Sequence, residues 1–249
     1  MEIINFILLI VISFIASIIG SIIGTAMLIL PPAMIFLGIP VHTSVATARF
    51  SMVGIGIGNI AKFSFKDRIQ LRYILSFAIS GVIGSILGAS LIVKISEGLL
   101  KIIIGILMII VSFIILFEDY IKPKKVKAKI AIKQHFLSVV AGIFIGAYIG
   151  IIGGGGATLV IFLLVLIYGL SFQSAVANQK AITLPMSIIA TIVFIYQGLI
   201  DYKLGMPLLL VNIAGGWVGA GLVLKFKNIW LKRILVPIII VMAVKLIFF

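Results

Sequence analysis

Thr43-Ser44-Val45-Ala46-Thr47-Ala48-Arg49-Phe50 returns, altered, as Ser174-Ala175-Val176-Ala177-Asn178-Gln179-Lys180-Ala181. The two stretches are 131 residues apart, and other residues keep the same offset: Gly38 and Gly169, Gly84 and Gly215, Gly88 and Gly219, Lys101 and Lys232. The chain therefore reads as one unit written twice. It is 63% hydrophobic and only 10% charged, with a mean hydropathy of +1.40. Soluble proteins keep about 25% charged residues, so the fold class is an all-α polytopic membrane protein. Within that chain, Arg49 and Lys180 each follow a long apolar stretch interrupted by glycine. A charge inside the bilayer is expensive and marks a functional position by default.

A bilayer crossing needs roughly 20 apolar residues. Spans are predicted at 44–63, 70–93 and 98–117, with counterparts at 175–196, 203–224 and 229–248. The segments that open the two units, 3–37 and 135–168, are too long for one straight crossing. Gly20 and Gly24 cut the first, with Pro31-Pro32 as a further break; Gly150 and Gly153-Gly154-Gly155-Gly156 cut the second. The loop charges decide the parity. A single crossing by 3–37 makes the repeats parallel and splits the loop Lys and Arg 11 against 6 between the faces. A doubled-back first segment inverts the repeats and splits them 14 against 4. The positive-inside rule favours the second arrangement. The expected organisation is a transmembrane repeat over 1–118, a basic cytoplasmic linker over 119–134 and a second transmembrane repeat over 135–249. Each repeat has a re-entrant or doubled-back first segment plus three transmembrane helices. Both termini then lie outside the cell inner membrane. The start Met1-Glu2 has no basic n-region, so the first apolar segment reads as a retained membrane segment. The lysine-rich linker reads as a topology signal, with no nucleic-acid partner expected.

Inverted repeats with broken helices place a ligand near the midplane, facing half-helix N-termini. Backbone N–H groups at such breaks hold anions. The candidate binding residues are Arg49, Lys180, Thr47, Asn178 and Gln179, with Gly24, Thr25, Gly154, Gly155 and Gly156 at the breaks. Helical spacing puts Val45, Ala46, Val53 and Gly56 on the face of Arg49, and Val176, Ala177, Leu184 and Ser187 on that of Lys180. Two plainer readings stand beside this one: both cations snorkel to the interface, and the glycines only let helices approach closely. Close packing accounts well for Gly81, Gly84, Gly88, Gly215, Gly216 and Gly219, and less well for four consecutive glycines. His42, in the short loop ahead of its span, reads as a solvated side chain. The six acids, Glu2, Asp67, Glu97, Glu118, Asp119 and Asp201, all fall at predicted span ends. They form no carboxylate pair for acid–base catalysis and no metal-ligand cluster. An enzyme is therefore not expected, nor any cofactor. Cysteine is absent. The functions left open are a secondary transporter for a small anion, a passive anion channel, and a membrane scaffold docking a partner through the linker. The coupling ion is unspecified.

The order of motifs resembles the TauE/SafE family of permeases, the sulfite exporter and sulfonate-uptake family. The first half carries Gly20-Ser-Ile-Ile-Gly24, then Gly38 to Ala46-Thr47-Ala48, then Gly84-Ser-Ile-Leu-Gly88. The second carries Gly153-Gly-Gly-Gly156, then Gly169 to Ala177-Asn178-Gln179-Lys180, then Gly215-Gly-Trp-Val-Gly219. The resemblance covers nearly the whole chain outside the linker. It implies transport of sulfite, thiosulfate, sulfoacetate or a related organosulfonate. Two departures stand out: Thr25 replaces a glycine of the first break, and both copies lack the Ala-Thr-Ser form.

Overall fold

The computed structural model describes residues 3–62, 71–117, 132–170, 172–223 and 229–248. Ten α-helices occupy them: α1 Ile3–Ile23, α2 Leu30–Phe36, α3 Val41–Lys62, α4 Leu71–Leu91, α5 Glu97–Phe117, α6 Ile132–Ile151, α7 Gly156–Tyr168, α8 Phe172–Tyr196, α9 Tyr202–Val223 and α10 Ile229–Phe248. Five described helices are long and apolar enough to cross a membrane, within α1, α4, α5, α8 and α9. Ile7, Leu75, Ile83, Ile106, Phe113, Phe144 and Val241 are exposed on the outside of the bundle. In water such a surface would be untenable; in a bilayer it is the lipid contact. The six predicted spans agree with α3, α4, α5, α8, α9 and α10 to within about three residues at each end. The linker lysines from Lys122 to Lys129, and most of the 62–72 loop, lie outside the described residues.

Both opening segments are two helices around a break, but the breaks fall elsewhere than expected. α1 continues through Gly20 and stops at Ile23; α6 continues through Gly150 and stops at Ile151. Gly24, Gly153 and Gly155 do the breaking, with φ of +85°, +73° and +75°, a region closed to most side chains. Gly20 and Gly150 serve close packing instead. A Cβ at Gly150 would meet the α4 backbone at Ala89 N, 2.8 Å away. Pro31-Pro32 does not break a helix either. The pair sits in the first turn of α2, where the missing N–H groups have no intrahelical partner to lose.

The bundle is built on small residues. Gly81, Gly84 and Gly88 of α4 face Gly142, Gly146 and Gly150 of α6 backbone to backbone. Gly54 and Gly58 let α3 lie against α9, and Gly215 and Gly219 let α9 lie against α1. Such approach is how helices associate where lipid removes the hydrophobic drive. These contacts also give direction. Going up α3 from Gly54 to Gly58, the α9 partners climb from Leu209 to Trp217, and Thr47 below them bonds Asp201, just ahead of α9. Going up α1 from Ser13 to Ser21, they climb from Asn212 to Gly219. So α1, α3 and α9 run in one sense. By the same reasoning α4 and α6 run parallel, from Phe77 beside Gly142 to Ala89 beside Gly150. α8 joins them, since Met186 packs on Gly81 and, further along both chains, Gln197 Nε2 donates to Ala89 O at 3.1 Å. A buried chain of bonds fixes the first group: Ser13 Oγ donates to Asn212 Oδ1 at 2.8 Å, and Asn212 Nδ2 to Ser51 Oγ at 3.1 Å.

Candidate functional site

Each broken helix ends with carbonyls that have no partner one turn further on. Ser21 O is such a group at the end of α1, and Ile149 O at the end of α6. The two intramembrane cations take them up, crosswise. Arg49 Nη2, in the first half, donates to Ile149 O in the second. Lys180 Nζ, in the second half, donates to Ser21 O in the first at 3.0 Å. Cations are favoured at helix C-termini by the macrodipole as well as by the bond itself. The side chains also explain a glycine: a Cβ on Gly153 would collide with the Arg49 guanidinium.

Arg49 and Lys180 line one cavity of about 450 Å³. Its walls come from the end of α1 at Gly20, the breaks at Gly24 and Gly153, the start of α7 at Ala157, and from α3 and α8. The two breaks themselves touch: a Cβ on Gly24 would stand 2.8 Å from that of Ala157. Val53 and Gly56 on α3, and Leu184 and Ser187 on α8, line the cavity as helical spacing predicts. Val45 and Ala46 do not; both are fully buried in the apolar core. Along α3 the cavity reaches Asn59 and Ile60 in the last turn. Among the described residues no Asp or Glu lines it. Arg49 is 2% exposed, and its Nε has no bonding partner among the described residues. Snorkelling thus fails as an account of Arg49, whose guanidinium is held inside the bundle.

The other candidates divide. Gln179 lines the cavity and donates to Thr183 Oγ1 at 2.7 Å. Thr47 and Asn178 are absent from the lining. Thr47 Oγ1 accepts from Asp201 N at 2.9 Å, tying α3 to the start of α9. Asn178 Nδ2 donates to Ser174 O, one turn back on its own helix, at 2.7 Å. Thr25 is buried and does not line the cavity, and its hydroxyl has no partner among the described residues. Gly154, Gly155 and Gly156 do not line it either; added Cβ atoms there would strike Leu28, Val111 and Ile149 respectively. Close packing therefore does account for three of the four consecutive glycines. Asn59 enters the site without having been singled out; ten residues past Arg49 it lies about 80° around the helix from it, so the spacing that finds Val53 and Gly56 does not find it. Its Oδ1 is buried and has no partner among the described residues. His42 is no solvated loop residue. It sits in the first turn of α3, Nε2 3.0 Å from both Ile92 O and Ile95 O and Nδ1 3.5 Å from Glu97 Oε1.

The described residues form a helical membrane bundle around a cation-lined internal cavity, an architecture suited to a transporter. Comparison with known proteins makes the class specific. The model of the family described as sulfite exporter TauE/SafE matches residues 9–246, and the chain belongs to that family of membrane transporters, not to a family of enzymes. It is 25% identical to the probable membrane transporter protein YdhB of Bacillus subtilis, over 79% of each chain. It is 24% identical to a probable membrane transporter protein of Haemophilus influenzae, over 95% of this chain and 92% of the relative. A probable membrane transporter protein of Sinorhizobium, ORF9, is 25% identical over 96% of this chain and 90% of its own.

Proposed function

We propose that the chain is a secondary transporter of a small anion, a sulfur oxyanion or organosulfonate such as sulfite, thiosulfate or sulfoacetate. The observation that carries this reading is the meeting of Arg49 and Lys180 on one cavity that, among the described residues, no carboxylate lines. We further read the repeats, 1–118 and 135–249, as inverted about the basic linker 119–134. The helix directions support it. α1 and α3 run in the same sense, so the chain returns through α2 between Ile23 and Val41. α6 and α8 run in the same sense, so it returns through α7. The contacts exchange under the repeat offset: α4 lies on α6 and α8, as α9 lies on α1 and α3. In the cell inner membrane this arrangement puts both termini outside and the linker in the cytoplasm. The cavity, which reaches the last turn of α3, then faces the cytoplasm.

Purified chain in proteoliposomes tests the function. Preloaded with sulfite, thiosulfate or sulfoacetate, the vesicles should take up the labelled species by counterflow, which a passive channel does not show. Failure of every anion with protein shown to be folded removes the proposal.

A further inference from the structure

The two cations stand apart along the cavity, and two hydroxyls on the wall between them keep their protons. α3 and α8 run in opposite senses: Gly56 meets Leu184, and Thr47 bonds Asp201, beyond the end of α8. Arg49 lies seven residues from Gly56 toward that end, and Lys180 lies four residues from Leu184 the other way. At about 1.5 Å per residue, their backbones are about 16 Å apart along the two helices. Thr183 and Ser187 fall between them and line the cavity from α8. Lys180, Thr183 and Ser187 follow one another at spacings of three and four, so they share one helix face.

Hydroxyls in apolar helices commonly bond their own backbone. Ser21, Ser51, Ser80, Ser85 and Thr191 do so, each donating to a carbonyl three or four residues back. Thr183 and Ser187 do not. Thr183 Oγ1 accepts from Gln179 Nε2 at 2.7 Å and keeps its own proton to donate. Ser187 Oγ makes no hydrogen bond among the described residues, and both side chains are half-buried. The facing residues of α3, Met52, Val53 and Ile55, are apolar and offer no donor. We propose that Thr183 and Ser187 bind oxygens of the transported anion on the stretch of cavity between Lys180 and Arg49. This rests on the anion-transport reading above. The chemistry suits an oxyanion or sulfonate, whose several oxygens accept from an ammonium and a hydroxyl at once.

The test is thermal stabilisation of the purified full chain, titrated with sulfoacetate, sulfite and thiosulfate. Ser187→Ala and Thr183→Val should each weaken binding by about three- to tenfold. Ser187→Ala removes no internal hydrogen bond, so the ligand-free variant should melt as the unaltered chain does. Thr183→Ser keeps the hydroxyl and should bind within about twofold of the unaltered chain. Unaltered affinity in Ser187→Ala and Thr183→Val overturns the hydroxyl contacts and leaves anion transport standing; should Thr183→Val not fold, Ser187→Ala decides alone. A loss in Thr183→Ser as large as in Thr183→Val assigns the effect to packing and counts against the proposal. Failure of the unaltered, folded chain to bind any of the three anions removes the transport reading and this inference together.

Discussion

Replacing Gly153 by alanine tests the contact between Arg49 and the end of α6 directly. Gly153 has φ +73°, and an L-residue forced into that region costs about 1–2 kcal/mol. The new Cβ also occupies the space of the Arg49 guanidinium. Displacing that group breaks its bond to Ile149 O, and bonds to charged groups contribute about 1.5–3 kcal/mol. Gly153→Ala should therefore destabilise by about 2.5–5 kcal/mol, combining the two terms. Gly38→Ala is the control. Its φ is +84°, but nothing lies within 4 Å of an added Cβ, so only the backbone cost of about 1–2 kcal/mol applies. The assay is reversible unfolding in detergent, run in a double-mutant cycle with Arg49→Ala. The excess of Gly153→Ala over Gly38→Ala should vanish once the guanidinium is gone. An excess that persists in the Arg49→Ala background, or no excess at all, would refute the reasoning.

Lys180→Gln should leave a folded protein whose anion flux falls by at least about tenfold, equivalent to about 1.4 kcal/mol; unchanged flux in proteoliposomes contradicts its role. Gly84→Val should destabilise by about 1–3 kcal/mol, because the added atoms meet the Ile143 and Ala147 backbone of α6. Gly98→Ala, with nothing within 4 Å, should instead gain about 0.5–1 kcal/mol; the same unfolding assay reads both. Asn212→Ala should cost about 0.6–1.7 kcal/mol per lost bond to Ser13 or Ser51, the range for helix–helix bonds in membranes, as measured by the same equilibrium. The native chain has no cysteine, so single cysteines at Glu2 and Lys62 can be labelled with an impermeant reagent in oriented vesicles. Labelling from opposite faces is expected, and labelling from one face would overturn the doubled-back first segment.

Much of the molecule was legible in one dimension because its causes are local. Hydrophobic runs fix the positions of α3 to α5 and α8 to α10. The 3.6-residue period places Val53 and Gly56 on the cavity side of α3, and Leu184 and Ser187 on that of α8. Even the cations announce themselves, since charge is rare in an apolar segment. What the sequence could not supply is partnership. Arg49 lies 100 residues from Ile149, and Lys180 lies 159 residues from Ser21. Nothing local says which unsatisfied carbonyl will stand beside which cation. The same holds for Thr47, Asn178, Thr25 and Gly154 to Gly156. They sit beside the site in sequence, yet helix rotation and the tightness of the breaks turn them away from the cavity. Composition and periodicity thus determined a membrane bundle with two aligned buried cations. Packing between distant segments decided that each cation closes the broken helix of the opposite half, because only the folded bundle brings those helix ends within hydrogen-bonding reach.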